Sequence, residues 1–321
     1  ARGPSASPRG LVNPLDQVKE ALTVAGFRAG WGALRFLPER AAYGLFDTAA
    51  DLLHLRGSDA QLRANYARIR PDLTERELDE LTRAGMRATL RYYCEAFRLP
   101  GLSHEQIRER VRVEGDAPVR EVIDGGGSVI AFLGHLGNWD LAGAWGSLDL
   151  GHVTTVAERL EPEQMYAEFL AFREGLGMTI HPLTGGGDVF GALRSAAKRP
   201  GIIPLLADRD LTRRGIEVSL CSQPARVAVG PAALAVAERR PLHPVTIRHE
   251  RSGSGWGIVI TFHPAVAVPS TGATAQRVKA MTQSCVDVLG ERILADPEHW
   301  HMLQKVFTAD LDPARLAKVA S

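Results

Sequence analysis

The chain has 321 residues, a net charge of +1 at pH 7 and 45% hydrophobic residues. Near-neutral charge argues against a nucleic-acid binder, which would carry a broad basic surface. The three cysteines, Cys94, Cys221 and Cys285, are far apart and form no CxxC or Cys/His pattern. That argues against a disulfide framework and structural zinc, and reduced thiols in the cytoplasm are the expectation.

The opening residues ARGPSASPRG are polar and lack the apolar stretch of a signal peptide. Residues 1–13 are expected to be disordered or left by cloning. Leu15, Val18, Leu22, Ala25 and Ala29 then recur at helical steps, and an apolar block from Trp31 to Leu37 ends at Pro38. Glu39 to Leu55 reads as a second helix, closed by Arg56-Gly57. Thr74-Glu75-Arg76-Glu77 has capping-box spacing and starts a third, which stops at Pro100-Gly101. Residues 14–110 thus read as a helical, membrane-associating region. Lys19, Arg28, Arg35 and Arg40 lie among Phe27, Trp31 and Phe36, a mixture suited to an anionic membrane surface, with core packing as the alternative. No stretch has the roughly 20 apolar residues of a membrane span.

From Val111 the texture changes to short β-branched runs alternating with helical stretches. The predicted strands are 128–133, 152–157, 178–183, 201–207, 216–220, 242–249 and 256–262. Between them fall predicted helices at 140–147, 162–176, 188–198 and 231–239, with a last one at 274–295. This alternation predicts an α/β fold: a mixed, largely parallel central sheet of about seven strands flanked by helices. Residues 111–321 would form this core. The core and the helical N-terminal region would together make a single compact domain.

His135 follows Gly134 at the end of the apolar run Val129–Leu133, where open α/β sheets build their sites. Asn138 is a good helix N-cap, and Asp140 falls in the first turn. In this reading Asp140 accepts the imidazole Nδ1–H and frees Nε2 as a base. That is the logic of a triad whose serine is replaced by a substrate hydroxyl. A core histidine bonded to a capping aspartate is the bland alternative. The same His-x4-Asp spacing occurs at His54 and Asp59, where it reads as chance, with Asp59 capping the next helix. There is no GxSxG elbow and no Walker A loop. Gly185-Gly186-Gly187-Asp188 reads as a loop with Asp188 as N-cap, or as an anion site.

Other polar residues fall at the expected strand ends. Glu158 would bind acceptor hydroxyls, or be a solvated acid. Arg173 would pair with Glu158 or an acceptor phosphate, or be a surface arginine. Asp208, Arg209 and Asp210 would hold the acceptor or steady an oxyanion, or form a structural ion cluster. With Asn138, these make up the expected substrate-binding set. No metal site is expected, and Trp139 reads as packing.

The fragment His135-Leu136-Gly137-Asn138-Trp139-Asp140 resembles the signature of the bacterial lipid A biosynthesis acyltransferase family. Ala207-Asp208-Arg209-Asp210 resembles a second block of that family, and Pro297-Glu298-His299-Trp300-His301 resembles its C-terminal segment. The resemblance spans about residues 14 to 310. It is closest to the family's actinobacterial mannoside-acylating branch, through Val156-Ala157-Glu158-Arg159-Leu160 and the block at Ala207. What it implies is palmitoyl transfer from coenzyme A, as co-substrate with no bound cofactor, to a mannose 6-hydroxyl of phosphatidylinositol mannoside. A monomer, peripheral on the cytoplasmic face of the plasma (inner) membrane, is also implied. The typical membrane-spanning first helix is missing from the sequence. Lauroyl or myristoyl transfer to lipid A, acyl-CoA hydrolysis and non-enzymatic lipid binding are the alternatives.

Overall fold

The computed structural model describes residues 34, 36–158, 163–183, 187–210, 214–252 and 255–312. The stripe from Leu15 to Ala29 and most of the block at Trp31 lie outside them, as do residues 1–13, Gly185 and Gly186.

Three helices come first: α1 (Glu39–Leu55), α2 (Ala60–Ile69) and α3 (Glu75–Arg98). The Thr74 hydroxyl accepts from the Glu77 backbone N–H, and the Glu77 carboxylate accepts from the Thr74 N–H at 2.8 Å. This reciprocal cap satisfies two otherwise orphaned donors. A short helix α4 (His104–Glu109), strand β1 (Val111–Glu114) and helix α5 (Ala117–Asp124) follow.

Next come β2 (Ser128–Leu133), α6 (Trp139–Asp149), β3 (Val153–Ala157), α7 (Glu163–Gly175), β4 (Met178–Pro182), α8 (Val189–Ala196) and β5 (Gly201–Leu206). The hairpin β6 (Ile216–Leu220) and β7 (Gln223–Val227), α9 (Gly230–Glu238), β8 (Leu242–Ser252), β9 (Gly255–Phe262) and α10 (Thr274–Ala295) complete the core.

The main sheet has seven strands in the order β1-β9-β8-β2-β5-β3-β4, flanked by helices. Five of its six pairings are parallel, and β8 with β9 is antiparallel. The expected class holds, with one exchange of members. Ile216–Leu220 is not in the main sheet but forms a separate antiparallel pair with β7. Its tight turn puts Cys221 and Ser222 at φ of 50° and 63°, the left-handed pair that a two-residue hairpin requires. The seventh place is taken by β1, whose sequence Val-Arg-Val-Glu is too short and too charged to stand out. Helices α4 and α5 are likewise additions to the predicted set, while α2 is the helix expected after Asp59.

The central strand β2 is buried on both faces, which explains its unbroken apolar sequence. Ile130 and Phe132 belong to the core layer with Ile203, Leu205 and α10. Val129, Ala131 and Leu133 belong to the other layer, with Leu141, Val153 and Ile202. Among the described residues no helix is long and apolar enough to cross a membrane.

Candidate active site

Parallel pairing between β2 and β5 sets Leu133 opposite Leu206. Two residues further along each strand the same register brings His135 level with Asp208. The pairing persists past the strand ends, since the Ala207 N–H donates to the Leu133 carbonyl at 2.8 Å. The imidazole Nδ1–H of His135 donates to Asp208 Oδ1 at 2.6 Å, and its backbone N–H donates to Oδ2 at 2.9 Å. The Trp300 indole N–H donates to the same Oδ2 at 2.9 Å. Asp208 is wholly buried. Burial alone would raise its carboxyl, but the imidazole, the His135 N–H and the indole together hold it below its ordinary value. Gly134 makes room for this pair: a Cβ there would lie 2.8 Å from Leu289 and 3.2 Å from Asp208.

Asp140 does not orient His135, contrary to the reading from spacing. Gly137 turns the chain at φ 59°, where a Cβ would press on Ile247 at 2.9 Å. Asn138 then caps α6 by accepting from the Leu141 N–H at 2.9 Å. This entry aims Asp140 away from the imidazole and toward α3 and α7. Its buried carboxylate accepts from the Tyr92 hydroxyl at 2.8 Å and from Arg173 Nε and Nη2 at 2.7 and 3.2 Å. Tyr92 in turn stacks on Trp139 with ring centroids 4.0 Å apart, and Trp139 meets the His135 ring edge-on at 5.4 Å. Asp140 therefore reaches His135 only through two aromatic rings. At the other copy of the spacing the opposite holds: His54 and Asp59 are bonded at 2.7 Å. Asp59 stands at the start of α2, yet its side chain makes no cap bond.

Three of the expected substrate ligands have other work. Asn138 is fully buried, donating from its amide to Glu95 at 2.8 Å. Asp208 lies behind the imidazole rather than in the cavity. Arg173 pairs with Asp140 and not with Glu158; burial works against its charge, but Asp140 raises its pKa. Asp210 is buried against Gly215, away from the cavity lining. Glu158 and Arg209 do meet, at 2.8 Å, on the cavity rim, and Arg209 also contacts Gln304.

The segment Pro297–Met302 clamps the motif loop. Its backbone bridges Leu136 at Trp300, and the His301 N–H donates to the His135 carbonyl at 2.8 Å. The Gly137 N–H donates to the His299 carbonyl at 3.1 Å, and His301 Nε2–H donates to the Gly137 carbonyl at 3.1 Å. The Thr89 hydroxyl lies 3.0 Å from His301 Nδ1. Beneath, Glu95 accepts from Asn138 and from His249 Nε2–H at 3.1 Å. Burial would raise the Glu95 carboxyl, but His249 and the two hydrogen bonds hold it low. Burial also presses the neighbouring histidines toward the neutral form: His299 is pushed down to about 3, and His301 lies well below its ordinary value. Tyr92, Glu95, Trp300 and His301 had no assigned site role in the sequence. The Pro297–His301 segment marks Trp300 and His301, and nothing in the sequence marks Tyr92 or Glu95.

His135 opens onto a cavity of about 970 Å³. Since Asp208 holds Nδ1, Nε2 is the ring nitrogen left without a hydrogen bond among the described residues. Its lining includes Arg209, Arg214 and Glu158 as well as the largely buried Arg173, with apolar walls that include Leu133, Trp145, Val153 and Ile260. Among the described residues no cysteine lines this cavity, and burial raises all three thiols, Cys94 and Cys221 to about 12 and Cys285 likewise upward.

A strand-end imidazole, a buried carboxylate and a long apolar cavity suit acyl transfer, and comparison with known proteins makes the chain an acyltransferase. It belongs to the bacterial lipid A biosynthesis acyltransferase family, whose profile matches residues 14–309. It is 39% identical over 313 residues to the phosphatidylinositol mannoside acyltransferase of Mycobacterium tuberculosis (strain ATCC 25618 / H37Rv), with 96% of each chain covered. It is 37% identical over 304 residues to the protein of the same name in Mycolicibacterium smegmatis (strain ATCC 700084 / mc(2)155), covering 94% of this chain and 96% of the relative.

Proposed function

We propose that the protein transfers a palmitoyl group from coenzyme A to a mannose 6-hydroxyl of a phosphatidylinositol mannoside, with His135 as general base. The 2.6 Å contact between His135 Nδ1 and Asp208 carries the chemistry. It fixes the tautomer in which Nε2 accepts a proton, and it steadies the imidazolium that results. The likeness to the two mycobacterial enzymes supports the acceptor.

In this mechanism Nε2 takes the hydroxyl proton as the mannose oxygen attacks the thioester carbonyl. The C–O bond forms and the C–S bond breaks. The imidazolium returns its proton to the departing thiolate, so free coenzyme A and an ester leave. Glu158 and Arg209, paired at the rim, would meet the acceptor headgroup. The enzyme would work from the cytoplasmic face as a peripheral monomer. Helix α1 supports this attachment, because it exposes Leu45, Leu52 and Leu55 next to Arg40 and Arg56.

The test is a transfer assay with palmitoyl-CoA and purified mannoside. His135→Ala should lower kcat by about 100-fold or more, as for a lost general base, while acyl-CoA binding persists. Wild-type turnover in that variant overturns the assignment of the base. Equally fast release of coenzyme A with and without mannoside would replace transfer by hydrolysis.

A further inference from the structure

Asp208 carries three donors. Two belong to His135: the ring N–H at Oδ1, 2.6 Å away, and the backbone N–H at Oδ2, 2.9 Å away. With these alone, carboxylate and imidazole would tilt together about the strand ends. The third donor comes from elsewhere: the Trp300 indole N–H, 92 residues beyond Asp208, reaches the same Oδ2 at 2.9 Å. It ties the carboxylate to a separate part of the fold and so takes away that freedom. Donation to Oδ2 also draws negative charge from Oδ1, the oxygen that faces the imidazole.

The indole is itself held in place. Trp300 is wholly buried and meets Phe307 edge-on at 6.2 Å. Its backbone bridges Leu136, the neighbour of His135, and its N–H donates to the Pro297 carbonyl at 3.0 Å. Helix α2 anchors the segment from the other side. The Tyr66 hydroxyl donates to the Trp300 carbonyl at 3.2 Å, and the Asn65 amide donates to the carbonyls of Met302 and Gln304 at 2.7 and 3.0 Å. Asn65 and Tyr66 are both fully buried. A buried indole usually finds a hydrogen-bond partner; here that partner is the carboxylate behind the base. Trp300 is not part of the cavity lining, so its effect on the chemistry passes through Asp208.

We propose that Trp300 is a positioning residue for acyl transfer: its indole N–H fixes the Asp208 carboxylate and shares its charge, and so sets both the aim of His135 and the pH range in which it serves as base. The inference rests on His135 being the base of the proposed reaction. Without the indole N–H, more of the carboxylate charge faces the imidazole and stabilises its protonated form. The base is then lost to protonation at a higher pH. The other ionisable groups around the pair stay as they are: His301, which burial keeps neutral, Tyr92 with the Asp140–Arg173 pair behind Trp139, Glu158 with Arg209, and Glu298 near Tyr66.

The experiment is the pH profile of palmitoyl transfer to mannoside, with kcat and KM for palmitoyl-CoA resolved at each pH. Trp300→Phe keeps an aromatic ring and removes the N–H. It should lower kcat at pH 7 by about 10-fold, leave KM within about 3-fold, and move the acid limb of kcat/KM to higher pH by about 0.5 to 1 unit. Tyr66→Phe loosens the same segment but keeps the indole bond, so it should lower the melting temperature and leave the limb in place. A folded Trp300→Phe protein with the wild-type limb overturns the proposal. An equal shift in Tyr66→Phe also overturns it, since loosening of the segment would then be the cause. If Trp300→Phe does not fold, replacement of Trp300 by 3-benzothienylalanine, which exchanges the N–H for sulfur at nearly constant shape, decides by the same limb. A wild-type profile with no acid limb overturns the His135 reading together with this one, whereas a limb that stays in place overturns this one alone.

Discussion

At the scale of single residues, two aspartates near His135 divide the work. Asp208 holds the imidazole directly. Asp140 holds Arg173 and Tyr92, and so anchors the start of α6. Their amide variants should fail differently. Asp208→Asn keeps the shape but removes the charge that supports the imidazolium, so kcat should fall by about 100-fold or more with little change in acyl-CoA affinity. Asp140→Asn leaves the buried Arg173 cation uncompensated. Stability should fall by about 3–5 kcal/mol, the cost of breaking a buried pair from one side. Urea denaturation alongside steady-state kinetics separates the two. A pair of variants with the same loss of stability and the same kcat would refute this division.

At the scale of elements, the segment Pro297–Met302 holds the motif loop through two backbone hydrogen bonds and one from the His301 side chain, and it buries His301 and half-buries His299. Burial is the main cause of their depressed pKa values, with His249 and nearby arginines adding to the effect on His299. In the unfolded chain both imidazoles titrate near 6.5. Between that value and about 3, the folded value of His299, the unfolded state binds more protons than the folded one. The stability of the clamp is therefore complete above pH 6.5 and lost progressively as pH falls. Asp208, also depressed, adds a loss of the same sign at lower pH, because its contribution is present above its unfolded value and disappears as pH falls through the folded one. The melting temperature should hold from pH 8 to about 6.5 and then decline toward pH 4.5. His299→Gln should flatten the decline, and a wild-type profile without slope below pH 6.5 would contradict the account.

At the scale of the whole molecule, exposed apolar residues gather on α1. Leu55 is 80% and Leu45 55% exposed, and Phe36, just before the helix, is 77% exposed. Scattered leucines on a surface are ordinary, but three along one helix with arginines beside them favour a lipid interface. Replacing Leu45, Leu52 and Leu55 together by glutamate should lower binding to vesicles containing anionic phosphoinositide lipid by about 10-fold or more. Turnover on detergent-dispersed mannoside should be retained. Unchanged sedimentation with vesicles would overturn a membrane role for α1.

Much of this architecture can be read locally. The strand 128–133 and the helices 39–55 and 274–295 follow from apolar runs, periodicity and caps, because these depend on neighbours a few residues away. His135 stands out for the same reason, as a polar residue ending a buried strand after glycine. Its partner could not be read this way. Two His-x4-Asp spacings occur, and the one at His54 and Asp59 forms the bonded pair while the one at His135 and Asp140 does not. Spacing alone cannot tell them apart, since the path of the turn decides where the carboxylate points. Residue types and local periods along the chain determined the elements and singled out His135. Only the tertiary structure decided that β5 lies beside β2, and that adjacency, through its parallel register, brings Asp208 to His135 across 73 residues of sequence.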